Sequence, residues 1–410
     1  MNTEENAPAT GQNVVVSGDT SVEKITVIGS VHGSLGIGGS GSGSRGRPDA
    51  FSWRDFKNTM ERRSFLLTIG AGLGFSLTDG AVEAVRLARS RTEQYLAEGV
   101  PARGVFDAWE EAVHEHALRY ATSPPLPYLH GLLSDFLDLQ DLLESCRLPD
   151  AQKRSLRLMG RVSGMVAVVA DDLGRPEESG KWMRLARRLF TEIRDRESRA
   201  WTFARGGFIA LHYSGSPSQA SHLAQAAVDT APRRSVAASV MGHTVESRAY
   251  AVMGDERSAL RALESADQAR GTAPSSGPLG LFGWTEQQAT LSRGMTLSTL
   301  GLTEPALAAQ EEALALFDAS EWLDPALVRL DQAALFVRRI DVREGCRLAA
   351  SVLEGIPSRH HSPLLASWAD DVIQGVPPQM AASPEAEYLW EVRRHFAPKG
   401  EEHGQDRHPG

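Results

Sequence analysis

From Ala81 to about residue 398, apolar side chains recur at the three-and-four spacing that lines one face of a helix. No stretch there alternates apolar and polar residues as a half-buried strand would. The helical pattern repeats about every forty residues when aligned on Gly174, Gly215, Gly254, Gly301 and Ile340. Five positions past each of these stand Ser179, Ala220, Ala259, Ala306 and Gly345, all small. Twelve past them stand Ala186, Ala227, Ala266, Ala313 and Val352, and four before them Ala170, Leu211, Tyr250, Leu297 and Phe336. Pro232, Gly271 and Pro357 fall seventeen positions past the turn and stop the second helix of their pairs. Two antiparallel helices joined by a tight turn approach closely only where one presents small side chains, here the second helix of each pair. A glycine ends the first helix in a left-handed conformation at little cost. Each pair leaves an apolar face for the next to cover, which predicts an all-α solenoid of helical hairpins.

Outside the repeats, the spacing predicts helices over 81–97, 103–121 and 125–146, separated by Pro101 and Thr122–Pro125. Pro363–Ile373 and Pro384–Phe396 are expected to close the array, followed by a polar, disordered tail over 399–410. The long interval between Gly254 and Gly301 holds Gly271-Thr-Ala-Pro-Ser-Ser-Gly-Pro-Leu-Gly280, an inserted loop. Five divisions follow: an N-terminal arm (1–50), a helical region (51–150), the repeats (151–360), capping helices (361–398) and the tail.

The arm differs from everything after it. Ile25-Thr-Val-Ile-Gly29-Ser-Val-His-Gly33 is β-prone and nearly uncharged, and the chain from Gly36 to Arg47 is a Gly/Ser tether. Two readings stay open: a disordered, extended tail, or a segment that stacks between chains as cross-β and so drives self-association. The latter resembles the Val/Ile-Gly assembly motifs of signalling amyloids. Arg62-Arg63-Ser64-Phe65-Leu66 imitates a twin-arginine export signal, but it lies behind the tether and lacks a cleavage site. Gly70-Ala-Gly72-Leu-Gly74 imitates a dinucleotide turn without a following strand–helix alternation. A structural lead-in to the helices accounts better for both.

The 410 residues suffice for a large interior without staples, and a net charge of −9 lowers the general attraction for phosphate backbones. Cys146 and Cys346 cannot form a disulfide framework or a four-thiolate zinc site. No run is apolar enough over about 18 residues to span a membrane. These features predict a cytoplasmic protein with no membrane contact.

The hairpin signature resembles tetratricopeptide repeats with slightly lengthened loops. Trp109-Glu-Glu-Ala-Val-His-Glu-His-Ala-Leu-Arg-Tyr, Ser123-Pro-Pro, Leu132-Leu-Ser-Asp-Phe-Leu-Asp-Leu, Gly160-Arg-Val-Ser-Gly-Met-Val-Ala and Ala200-Trp201 through Gly215 go further. They resemble the repeat region of actinobacterial helix-turn-helix transcriptional regulators, over about residues 60–355, and Arg62-Arg-Ser-Phe-Leu resembles the run that often precedes such arrays. The helix-turn-helix domain itself has no counterpart, because the Gly/Ser-rich arm cannot supply a recognition helix. Direct DNA binding is therefore not carried over. The resemblance implies the sensor or partner-binding half of a regulator, of development or secondary metabolism.

Chemistry adds little to this. His114-Glu-His116 lacks the spacing that places two ligands on one helical face, and His360-His361, His403 and His408 read as solvated. No phosphate loop or nucleophile elbow occurs. No enzyme, cofactor or metal is expected. In such solenoids the first helices line a concave groove. The positions that face it by resemblance are Arg161, Asp171, Arg205, His212, Thr244, Arg248, Gln288 and Ser298. The three arginines would make the groove basic and suit a carboxylate or acidic peptide. The leading expectation is a non-enzymatic regulator that binds a protein or peptide. Its rivals are a sensor of a small molecule or signalling peptide acting through a separate DNA-binding partner, an exported scaffold, and an enzyme for which no residues can be named.

Overall fold

A computed structural model describes residues 102–212, 215–232, 236–271 and 280–396, all within the unit Trp53–Gly410. The N-terminal arm, the 62–74 motifs, the helix expected at 81–97, most of the inserted loop and the C-terminal tail lie outside the described residues. Fourteen α-helices and no strand occur among those described. They are α1 (Ala102–Arg119), α2 (Pro125–Ser145), α3 (Pro149–Asp172), α4 (Pro176–Glu192), α5 (Arg196–Leu211), α6 (Pro217–Thr230) and α7 (Val236–Val252). Then come α8 (Glu256–Gly271), α9 (Glu286–Thr299), α10 (Thr303–Leu316), α11 (Leu323–Arg339), α12 (Val342–Gly355), α13 (Pro363–Gln374) and α14 (Pro384–His395).

The repeat unit is a hairpin: α3 packs with α4, α5 with α6, α7 with α8, α9 with α10 and α11 with α12. Ser179, Ala220, Ala259, Ala306 and Gly345 are all buried, as are Ala186, Ala227, Ala266, Ala313 and Val352. These small groups let the paired axes close up. Gly174, Gly215, Gly254 and Gly301 have positive φ, so the glycine-marked turns are left-handed helix ends. The helix before three of them is closed by a backbone bond to the residue four before the glycine: Arg175 to Ala170, Asp255 to Tyr250 and Leu302 to Leu297.

The fifth turn works differently. Ile340 has φ −122° and stays out of the left-handed region, while Asp341 accepts bonds from the Arg343 and Glu344 amides and starts α12. One left-handed position is unmarked by glycine: Arg194 between α4 and α5, with φ 57°.

Odd-numbered helices pack against one another in series, from α1 with α3 to α11 with α13, and form the inner layer. That layer curves until α13 touches α3 and the 3₁₀ turn Tyr120–Thr122 touches α11. One core cluster gathers residues from Phe106 to Ala249 and another from Leu291 to Phe396. Leu281 belongs to the first, with Phe282 and Trp284 packed against it, although the helix that follows, α9, gives Leu291 and Met295 to the second.

Candidate functional site

Three inner helices aim guanidinium groups at one place: Arg161 from α3, Arg205 from α5 and Arg248 from α7. Between them lies aromatic surface. Trp201 sits one turn before Arg205, and its ring lies so close to α3 that a Cβ on Gly164 would be 2.7 Å from it. Only a glycine admits the indole there. Phe208 follows one turn later, under both Arg205 and Arg248, whose guanidinium carbons each lie 5.7 Å from its centroid.

The end of the inserted loop fills this groove. Gly280-Leu-Phe makes a short 3₁₀ turn against the end of α1, so tightly that a Cβ at residue 280 would sit 2.3 Å from the Ala117 carbonyl oxygen. Leu281 is buried, and its carbonyl accepts a 3.0 Å bond from the Trp201 indole nitrogen and a long one, 3.4 Å, from Arg205. Phe282 packs on Trp201 with centroids 4.6 Å apart, and the Arg161 guanidinium carbon lies 5.4 Å from the Phe282 centroid. Trp284 stacks on Phe208 at 5.6 Å. The result is a continuous ladder: Arg161, Phe282, Trp201, Arg205, Phe208, Arg248. A cation–π contact contributes about 0.5–1 kcal/mol at an exposed site and about 2 kcal/mol when desolvated, and an aromatic pair about 0.5–1.5 kcal/mol.

The arginines are less well served as ions. None of the three is within ion-pair distance of a carboxylate among the described residues. Burial pulls the pKa of each below the usual guanidinium value; Asp195 opposes this at Arg161, Tyr120 and Asp324 at Arg205, and Asp331 at Arg248. The Nε atoms of Arg161 and Arg205 are buried without a hydrogen-bond partner among the described residues, as is Trp284 Nε1. A buried donor left so costs about 1–3 kcal/mol.

The remaining expected groove residues have other employment. Asp171 and His212 bond to each other at 2.5 Å. Thr244 donates to the Val240 carbonyl, and Ser298 to the buried Asp331. Gln288 completes the capping box of α9 with Thr285. The structure thus gathers the three arginines and leaves the other five outside the ladder. Trp201, Phe208, Phe282 and Trp284 complete the site without having been expected there. The signal available was Leu281-Phe-Gly-Trp284, an apolar, aromatic run at the end of a Gly/Pro loop.

A second concavity lies where the inner layer meets itself, lined by Tyr120, Tyr128, Asp172, Trp322, His360 and Ser362. Tyr120 donates to Asp172 at 2.9 Å, and burial raises the Asp172 pKa well above the carboxylate range, with Asp171 adding to it. Its volume of about 20 Å³ holds one water molecule, whereas sites for small organic ligands run to about 300–1,000 Å³. His116 is bonded to Asp135 at 2.7 Å, and His114 is exposed. No group of three or more metal-ligating side chains occurs among the described residues, and none of their helices is long and apolar enough to cross a membrane. Compared with known proteins, the chain matches no family model, no curated protein and no solved structure.

Proposed function

We propose that this chain is a non-enzymatic, cytoplasmic regulator of the tetratricopeptide-repeat kind, which recognises a partner protein or peptide along the inner face of its hairpin array. Transcriptional or developmental control is the process the sequence resemblance suggests. The observation that carries the reading is that the inner face already holds a short, irregular stretch of polypeptide. It does so with the chemistry of peptide recognition: an indole and a guanidinium on one carbonyl, and two aromatic platforms for two side chains. The three arginines add a preference for negative charge, since among the described residues none has a carboxylate within ion-pair distance. The small volume of the second concavity disfavours a drug-sized effector there.

Replacing Arg205 and Arg248 together by Ala tests the assignment. Quantitative mass spectrometry of material retained by the immobilised wild type and the double variant should show a specific partner lost from the variant, with helical circular dichroism unchanged. Equal retention by a folded variant rejects the groove.

A further inference from the structure

The groove residues and the segment that fills them come from opposite sides of a loop, some eighty positions apart in sequence. That segment, Gly280-Leu-Phe-Gly-Trp284, carries no charge. It satisfies the aromatic half of the site: Phe282 and Trp284, with one residue between them, reach the two platforms Trp201 and Phe208. It fails the ionic half. Arg205 gains from it only a 3.4 Å contact to a carbonyl, and Nε of both Arg161 and Arg205 stays buried without a partner among the described residues. Its own indole nitrogen, on Trp284, likewise has no partner among the described residues. A ligand with the same ring spacing and a carboxylate would keep every contact the segment makes and supply the acceptors it lacks.

We infer that residues 280–284 are an intramolecular occupant of the recognition groove, displaced by a partner segment that bears two aromatic side chains with one residue between them, beside a carboxylate. This rests on the groove being a partner site, as proposed above. The occupant holds its place through being tethered, which gives it a high effective concentration despite imperfect complementarity. The partner's apparent affinity is then reduced by the fraction of molecules in which the groove is free.

The test uses the full chain and two fluorescein-labelled hexapeptides, Glu-Leu-Phe-Gly-Trp-Glu and its neutral counterpart Gln-Leu-Phe-Gly-Trp-Gln. In the Phe282→Ala/Trp284→Ala variant the acidic peptide should bind about tenfold or more tightly than in the wild type. Gly280→Ala, whose methyl group would collide with the Ala117 carbonyl, dislodges the segment without removing its rings and should give the same gain. The acidic peptide should exceed the neutral one in every protein, and Arg161→Gln should narrow that difference. In the unaltered protein, saturating acidic peptide should speed amide hydrogen exchange across 280–284. Bound peptide with unchanged exchange there, or equal affinity in wild type and folded variants, overturns the displacement. Equal binding of the two peptides overturns the carboxylate requirement. Absence of binding by every folded protein removes the groove reading itself.

Discussion

At the scale of single residues, small side chains are required here for two separate reasons, and the reasons predict different costs. Gly254 has φ 78° with open space around it, so only its backbone conformation resists a side chain. Gly345 lies inside α12, where a Cβ would come within 2.6 Å of the Ala333 carbonyl and 2.5 Å of Val337. Gly254→Ala should therefore cost about 1 kcal/mol, the strain of a left-handed alanine. Gly345→Ala should cost about 2–3 kcal/mol through overpacking, despite alanine's better helix propensity. Urea midpoints of the two variants check the order, and a reversal would mean that the α11–α12 contact is looser than it looks. These positions were readable because smallness at a fixed repeat distance has no other common cause. Arg194 was not, since nothing about an arginine announces a positive φ.

At the scale of elements, the turns inside the hairpins are not all built alike. Most of the repeats end their first helix on a glycine, but the α11–α12 turn has Ile340 in that place and relies on the capping carboxylate of Asp341. Asp341→Ala should destabilise the protein by about 1 kcal/mol, more than loss of a surface charge would, because it exposes two amides at the start of α12. Asp341→Asn should restore most of this, an outcome that thermal denaturation of both variants can check. Helix limits were largely readable: the expected spans 125–146, Pro363–Ile373 and Pro384–Phe396 differ from α2, α13 and α14 by one residue at most. Proline at the first or second helical position marks all three starts.

At the scale of the whole molecule, curvature of the inner layer buries charge. Asp331, reached by Ser298 and Gln310, is pushed up to about 7 by burial, against the pull of Arg248 and Arg338. Asp324 keeps some accessible surface as a residue, but enclosure of its carboxyl pushes it to about 6, with Arg205 opposing and Glu321 assisting. An unfolded aspartate titrates near about 3.9. Between about pH 4 and 7 the folded state thus holds protons on these groups that the unfolded chain has released. Stability contributed by them is complete below the lower value and is lost as pH rises through about 6 to 7. The urea midpoint should accordingly be higher at pH 6 than at pH 8, and Asp331→Asn should flatten the upper part of that slope. A wild-type midpoint that rises toward pH 8 would contradict the burial of these carboxyls.

Periodicity, small faces and punctuation by glycine and proline were enough to specify hairpins and their pairing, because contacts within a hairpin join residues a few turns apart and leave a repeating trace. Arg161, Arg205 and Arg248 stand at different distances from their turn glycines, so the repeat alone does not align them, and it was the resemblance that put them on one face. What fills that face was legible from neither. Leu281, Phe282 and Trp284 meet Trp201 and Phe208 only because the inner layer bends and the loop folds back across it. Such a contact depends on the sum of many small inter-helix rotations, and no local pattern in the chain records that sum.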